Sequence, residues 1–254
     1  MTPGLLPVRP GLCSVTFRAE TAETVAAAAA DAGLESIEWG ADVHAPDPRT
    51  AEQVAALSDR HGLVVASYGA YYRLGENPES FPAVLDSAVA LGAPRIRVWA
   101  GSVERHDADD AVVAAVIDDA RRVGDLAGAV GVRIGLEFHR GTLTSTAESA
   151  TQLLKAIAHP QVGTYWQPSV GLTDDDALAE LDAVYDWLEA LHVFSWWPRT
   201  ERLPLSARAE LWRRALTRAG ADGVRRDALL EFVAGDDLSL LPREAEALRQ
   251  LAAG

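Results

Sequence analysis

Short apolar runs alternate with longer stretches of helical period along the whole chain. Eight of the short runs, rich in Val, Ile and aromatic residues, are predicted strands: GLCSVTF (11–17), LESIEWG (34–40), LVVASYG (63–69), RIRVWAG (95–101), RIGLEFH (133–139), VGTYWQP (162–168), ALHVFSWW (190–197) and ALLEFVAG (228–235). They begin 23 to 38 residues apart, the spacing of strand–helix units rather than of hairpins. The intervening stretches predict helices. AETVAAAAADAG closes on Gly33 and TAEQVAALSDRHG on Gly62, the latter with Thr50 three residues before Gln53 in a capping-box pattern. SFPAVLDSAVALG ends on Gly92 and carries Pro82 in its first turn. DADDAVVAAVIDDARRVGDLAGAV is the longest, and TSTAESATQLLKAIAH, DDDALAELDAVYDWLEA, SARAELWRRALTRAG and PREAEALRQLAA complete the set.

Eight such units in 254 residues predict one α/β domain over 1–254, a single (β/α)8 barrel. A doubly wound sheet would carry GxGxxG after its first strand, where FRAETAETV stands instead. No break in composition marks a second domain, and PGLLPVRPG reads as a leader into the first strand.

Composition narrows the chemistry. Lys and Arg number 23 against 37 Asp and Glu, a formal charge of -14, which argues against a nucleic-acid partner. One cysteine, Cys13, excludes an internal disulfide and a multi-cysteine zinc site. There is no apolar run of about 18 residues to cross a membrane. Nor do the first 20 residues show the basic-then-apolar order of a secretory leader, so a cytoplasmic protein is expected. Lys155, the only lysine, lies in a helical stretch and leaves no obvious Schiff-base nucleophile. The absence of GxxxxGK[ST] removes the P-loop nucleotide enzymes.

A barrel carries its chemistry at the C-terminal ends of its strands, so polar residues there are the candidates. Glu137 in IGLEFHRG and Glu231 in ALLEFVAGDD interrupt apolar strands, where an unpaired carboxylate is expensive. Ion pairs with arginines inside the barrel are one reading, and convergence on a shared divalent cation is the other. His192 lies on the strand between them. A lone histidine is more often a hydrogen-bonded core residue, but Glu137, His192 and Glu231 form an O/N set that suits Mn²⁺, Co²⁺, Mg²⁺ or Zn²⁺. Gln167 offers a neutral fourth oxygen.

Substrate contacts are expected from Glu38, His44 and His139, the last two residues beyond Glu137 on the same strand face. Aromatic residues collect at strand ends: Trp39, Tyr68, Tyr72, Trp99, Trp166 and Trp196, with Tyr71 and Trp197 beside them. Walls of this kind suit the apolar faces of a sugar or polyol, although any single one would equally fill the barrel mouth. Arg199 follows the seventh strand, and Arg73, Arg140 and Arg202 are similarly placed to grip hydroxyls or a carboxylate. No Ser/Gly-rich cradle follows the seventh or eighth strand, which disfavours a phosphorylated substrate.

From GLESIEWG on the second strand to LLEFVAG on the eighth, the order and spacing of these motifs resemble the xylose isomerase-like barrel superfamily, in particular its sugar phosphate isomerase/epimerase group with the ketose 3-epimerases. The resemblance implies one divalent metal per chain, Mn²⁺ foremost, held by Glu, Asp, His and Glu from strands five to eight. Glu137, His192 and Glu231 match by position, Gln167 stands in the place of the Asp, and Val170 stands where the epimerases carry a histidine. Arg199 is the nearest match to a substrate-gripping arginine. The implied reaction is isomerisation or epimerisation of an unphosphorylated ketose, aldose or polyol through an enediolate, with Glu137 or Glu231 as base. A lyase or dehydratase using the same enediolate, a noncatalytic sugar-binding protein and a metal-dependent hydrolase are the alternatives. The superfamily's endonucleases for abasic DNA use three metals and more histidines than the six found here. Family members resemble dimers or tetramers, so a homo-oligomer is also implied.

Overall fold

Parallel pairing of the apolar runs bends them into a closed cylinder. The computed structural model describes residues 6–253. Its strands are β1 (Val8–Cys13), β2 (Ser36–Gly40), β3 (Val64–Arg73), β4 (Arg95–Trp99), β5 (Arg133–Leu136), β6 (Val162–Trp166), β7 (Leu188–Val193), β8 (Ser195–Trp196), β9 (Arg202–Leu203) and β10 (Arg226–Leu230). Eight of them close a barrel in the order β1-β10-β7-β6-β5-β4-β3-β2, while β8 and β9 form a small antiparallel ribbon above β7. The helices are α1 (Ala22–Asp31), α2 (Pro48–Arg60), α3 (Phe81–Leu91), α4 (Asp110–Gly128), α5 (Ala147–Ile157), α6 (Asp174–Val184), α7 (Ala209–Ala219) and α8 (Leu241–Ala253). The expected eightfold barrel is therefore the fold. Among the described residues no helix is long and apolar enough to cross a membrane.

Pairing moves several element boundaries. β1 starts at Val8 because Val8 to Leu12 pair with Arg226 to Leu230, so the sequence expected to lead into the strand is partly the strand itself. Residues 3–5 of that leader lie outside the described residues. SVTF, expected as strand, is a 3-10 turn. α2 begins at Pro48, capped by Asp47, whose carboxylate accepts from the Thr50 amide at 2.9 Å, so Thr50 is not the cap. α6 stops at Val184, and Leu188 already belongs to β7. β5, β6 and β10 end one residue before Glu137, Gln167 and Glu231 respectively. The amides of Glu137 and Glu231 still donate to Val98 and Val193 carbonyls, at 2.9 and 3.1 Å, which fixes both backbones to the rim.

Alternation along each strand sorts side chains between two cores. Ile37, Trp39, Val98, Ile134, Leu136, Trp166 and Leu191 face outward to the helices and join the main apolar core. Cys13, Tyr165, Ala190 and Leu229 form a second, smaller core inside the cylinder. Asp227 is buried at the base of the interior, paired with Arg9 and Arg95. Tyr165 fills the middle, and Gly135 makes room for it, since a Cβ there would lie 2.5 Å from the ring. Glu38, Arg97, Glu137, His192 and Glu231 stand at the upper end.

Gly135→Ala should therefore destabilise the fold by about 1–3 kcal/mol through overpacking. Urea denaturation should show a lower midpoint at an unchanged slope. An unchanged midpoint would mean that Tyr165 is not confined as described.

Candidate metal centre and cavity

A cavity of about 670 Å³ opens at the C-terminal end of the barrel. Glu137, Gln167 and Glu231 reach it from β5, β6 and β10, with Trp99, His139, Trp196 and Arg199 on its walls. Those seven candidates line this one cavity. Tyr71, Arg97, Phe194 and Phe232 also line it. A second hollow at the opposite end is lined by Arg95, Arg133, Arg225 and Arg226, each already paired with a carboxylate. It presents no unpaired guanidinium, and the site is at the upper end.

Six candidates expected to touch substrate are placed elsewhere. Trp39, Tyr68, Tyr72 and Trp166 each stand one position out of phase with an interior residue and so point at the helices. Trp39 donates to Ser58 Oγ at 2.9 Å, Tyr68 to the Ala45 carbonyl at 2.8 Å, and Tyr72 to Asp119 at 2.6 Å. Trp166 packs edge-on to Trp212. His44 is held by Ser14 Oγ and the Glu20 carbonyl, at 2.9 and 3.1 Å, and pins the loop after β2 to the turn after β1. Glu38 does point inward, but it is buried beneath the cavity rather than exposed to it.

Two residues of the centre were not among the candidates drawn from the sequence. Arg97 on β4 is buried between two carboxylates: its Nε donates to Glu38 Oε1 at 3.0 Å, and its NH1 donates to Glu137 Oε2. The signal for it was available, because RIRVW places Arg95, Arg97 and Trp99 on one face. Cys13 is the other. Its thiol, a His192 nitrogen and a Glu231 oxygen lie within 4.8 Å of one another.

His192 is fully buried, and its ring is fixed from three sides. Nδ1 lies 3.0 Å from Gln167 Oε1 and 3.3 Å from Glu231 Oε2. Nε2 faces Glu38 Oε1 at 3.7 Å and has no hydrogen-bond partner among the described residues. The Tyr165 ring meets it edge-on at 5.1 Å. On the walls, Trp99 stacks on His139 at 4.7 Å, and the Arg73 guanidinium sits 4.1 Å from the Trp99 ring. Arg18 pairs with Asp42 and donates to the Tyr71 hydroxyl at 3.2 Å, which holds that ring at the rim.

Burial is the largest single influence on Cys13, Glu38, His192 and Glu231, and for the last three close partners together outweigh it. Burial alone would raise Glu38, but Arg97 and then His192 bring its carboxyl well below the usual carboxylate range. Burial likewise works to raise Glu231, yet His192 and Arg97 lower it. Burial works to lower His192, yet Glu231 and Cys13 raise it well above the usual imidazole value. The Cys13 thiol is pushed up to about 12 by burial.

These residues fit a divalent cation. Metal bonds of about 2.0–2.2 Å place neighbouring donor atoms about 3 Å apart, close to the 3.0 and 3.3 Å that separate His192 Nδ1 from Gln167 Oε1 and Glu231 Oε2. Glu38, Glu137 and Glu231 supply three buried negative charges and Arg97 one positive, which leaves two negative charges when His192 is neutral. A doubly charged ion cancels that surplus in a place where uncompensated charge is costly. Glu137 stands apart from the cluster and is engaged by Arg97 and by Trp99 Nε1 at 2.5 Å.

Cation binding must displace the proton that Glu231 stabilises on His192, so affinity should rise with pH. Titration calorimetry with Mn²⁺ should show binding that tightens by up to about tenfold per pH unit between about pH 6 and 8. Affinity independent of pH would show that His192 is not a ligand.

No curated protein sequence matches the chain. Among solved structures, a probable 3-DHS dehydratase involved in petrobactin synthesis from Bacillus anthracis superposes with a TM-score of 0.78 at 18% identity, over 95% of this chain and 99% of that one. A D-allulose 3-epimerase from Methylomonas sp. gives 0.71 at 16% identity, over 97% and 99%. A 3-keto-D-glucoside 4-epimerase from E. coli gives 0.73 at 15% identity, over 96% and 98%. At such identities the likeness is one of fold. The family described as xylose isomerase-like TIM barrel matches residues 26–205, most of the chain. Together with the closed barrel, this places the chain in the xylose isomerase-like TIM-barrel family.

Proposed function

We propose that the protein is a metal-dependent isomerase or epimerase of an unphosphorylated ketose, aldose or related polyol. The observation that carries this reading is the pairing of two buried glutamates, Glu137 and Glu231, with an imidazole and an amide oxygen at one aromatic-walled cavity. Glu231, His192 and Gln167 would hold the cation, with Mn²⁺ first among Mn²⁺, Mg²⁺, Co²⁺ and Zn²⁺. When bound, such an ion acidifies the C–H between a carbonyl and its neighbouring hydroxyl. The names of the similar structures, two sugar epimerases and a probable dehydratase, support carbon–hydrogen chemistry on a hydroxylated substrate.

The protein's own groups supply the rest. Trp99 and Trp196 offer flat apolar faces to a sugar ring or chain, and both are held by neighbouring aromatic rings. Among the described residues Arg199 makes no side-chain ion pair, and it lines the cavity where it would meet substrate oxygens at the rim. One glutamate removes the proton beside the carbonyl, and the pair of electrons it leaves behind forms an enediolate. Return of a proton to the same carbon from the other face epimerises it, and return to the neighbouring carbon isomerises aldose and ketose. Loss of a β-hydroxyl from the same intermediate is the dehydratase outcome.

Incubation of the Mn²⁺-loaded protein with a panel of ketoses and aldoses in D2O should place deuterium on the carbon beside the carbonyl, read by proton NMR. Glu137→Gln and Glu231→Gln should each slow that exchange by about 100- to 10,000-fold. Retention of bound sugar with no exchange and no product would sink the enzymatic reading in favour of a binding protein.

A further inference from the structure

Most arginines of this acidic chain are engaged by carboxylates, and those that are not gather where the cavity opens. We infer that Arg140 and Arg199 receive a carboxylate of the substrate, which makes the substrate a sugar acid rather than a neutral sugar. This rests on the enediolate reaction proposed above and names the substrate class on which it acts.

Of the 22 arginines, 18 pair with an Asp or Glu. Among the described residues, Arg49, Arg73, Arg140 and Arg199 make no such pair. Arg140 and Arg199 line the cavity, and Arg73 lies against the Trp99 ring of its wall at 4.1 Å. Arg49 stands apart, in α2. Other arginines near the rim differ, since Arg18 pairs with Asp42 and Arg202 with Asp236. Arg140 and Arg199 are placed by their backbones instead. The Arg140 carbonyl meets His139 Nδ1 at 2.5 Å, and the following amide, of Gly141, donates to Glu104 at 3.0 Å. The Arg199 amide donates to the Glu201 carboxylate at 3.1 Å, in the turn that joins β8 to β9. Both side chains are exposed at the mouth with their charge unmatched.

The carboxylates that line the cavity are already engaged: Glu137 by Arg97, Glu231 by His192 and Glu104 by the Gly141 amide. A divalent ion cancels the charge of the buried floor, and Arg140 and Arg199 against Glu104 then leave one positive charge on the wall. The chain as a whole carries -14 and repels anions, so a positive mouth reverses the field where a ligand enters. A neutral sugar takes only hydrogen bonds from such groups, whereas an anion takes hydrogen bonds and charge together. Barrels hold a phosphate on backbone amides after the seventh and eighth strands, but here the chain after β7 is taken up by the β8–β9 ribbon. Guanidiniums without such amides suit a carboxylate, whose two oxygens match the paired N–H groups of an arginine. Glu137 and Glu231 are buried and the two arginines exposed, so the carboxylate sits at the end of the substrate far from the reacting carbon.

The test titrates Mn²⁺-loaded protein calorimetrically with D-glucuronate and D-galacturonate, each beside its uncharged 6-amide, its parent hexose and that hexose's 6-phosphate. Deuterium exchange is followed on the same compounds. At least one uronate should bind about 10- to 100-fold more tightly than its amide and its hexose, and more tightly than the 6-phosphate. The preference should shrink as salt rises. Arg140→Gln and Arg199→Gln should each narrow it, and the double variant should abolish it at unchanged metal content and melting temperature. Arg49→Gln, away from the cavity, should leave it intact. Failure of both uronates to bind, or equal affinity for uronate and amide, would overturn the inference. A preference that survives the double variant overturns it too, because the cation would then be taking the carboxylate, and so does tighter binding of the 6-phosphate. A uronate preference without exchange on any compound sinks the proposed reaction and keeps the carboxylate assignment. Exchange on neutral hexoses without a uronate preference does the reverse.

Discussion

Charge balance inside the barrel governs the upper half of this structure. Three carboxylates and a guanidinium are buried within a few side chains of one another, and none has bulk water to spread its field. Arg97 meets this by bridging Glu38 and Glu137, and His192 by lying between Glu38 and Glu231. The four strands that carry these groups, together with β4, are thereby tied across the interior as well as around the rim. Removing any one charge would strand its partner, so the cluster constrains the sequence far more tightly than an apolar plug of the same volume would.

The lower half is balanced independently. Asp227 is shared by Arg9 and Arg95, and Tyr165 and Leu229 separate that group from the upper one. This layering explains how an acidic chain accommodates arginine inside a barrel. The lower layer sets one carboxylate between two guanidiniums, and the upper layer keeps a negative surplus of the size a divalent cation cancels.

Much of this was legible before any coordinates. Eight units of the right spacing predict the barrel, and placing polar residues at strand ends found Glu137, Gln167 and Glu231 at the cavity with Trp99, His139, Trp196 and Arg199. Four of the six misplaced candidates share one cause, neglect of the two-residue period. Trp39 follows Glu38 and Trp166 precedes Gln167, so neither can share its neighbour's face. Tyr68 and Tyr72 flank Tyr71 at odd offsets, and Tyr71 is the one at the rim. Arg97 was hidden for a different reason. Its partners lie 59 and 40 residues away, and only closure of the sheet shows that a mid-strand arginine has two carboxylates waiting for it. Strand ends moved because pairing, not local composition, decides them, as β1 shows by running through Pro10.

Tyr165 has a consequence beyond packing. Its ring spans the interior beneath His192 while the arginine pairs of Asp227 close the base, so the barrel is a blind well with one opening. Whatever enters must leave by the same mouth, and a new molecule cannot push the old one through. Turnover is then necessarily alternating: the well empties before it refills. Protons and water share that route too, so a molecule that covers the mouth isolates the well from solvent for as long as it stays.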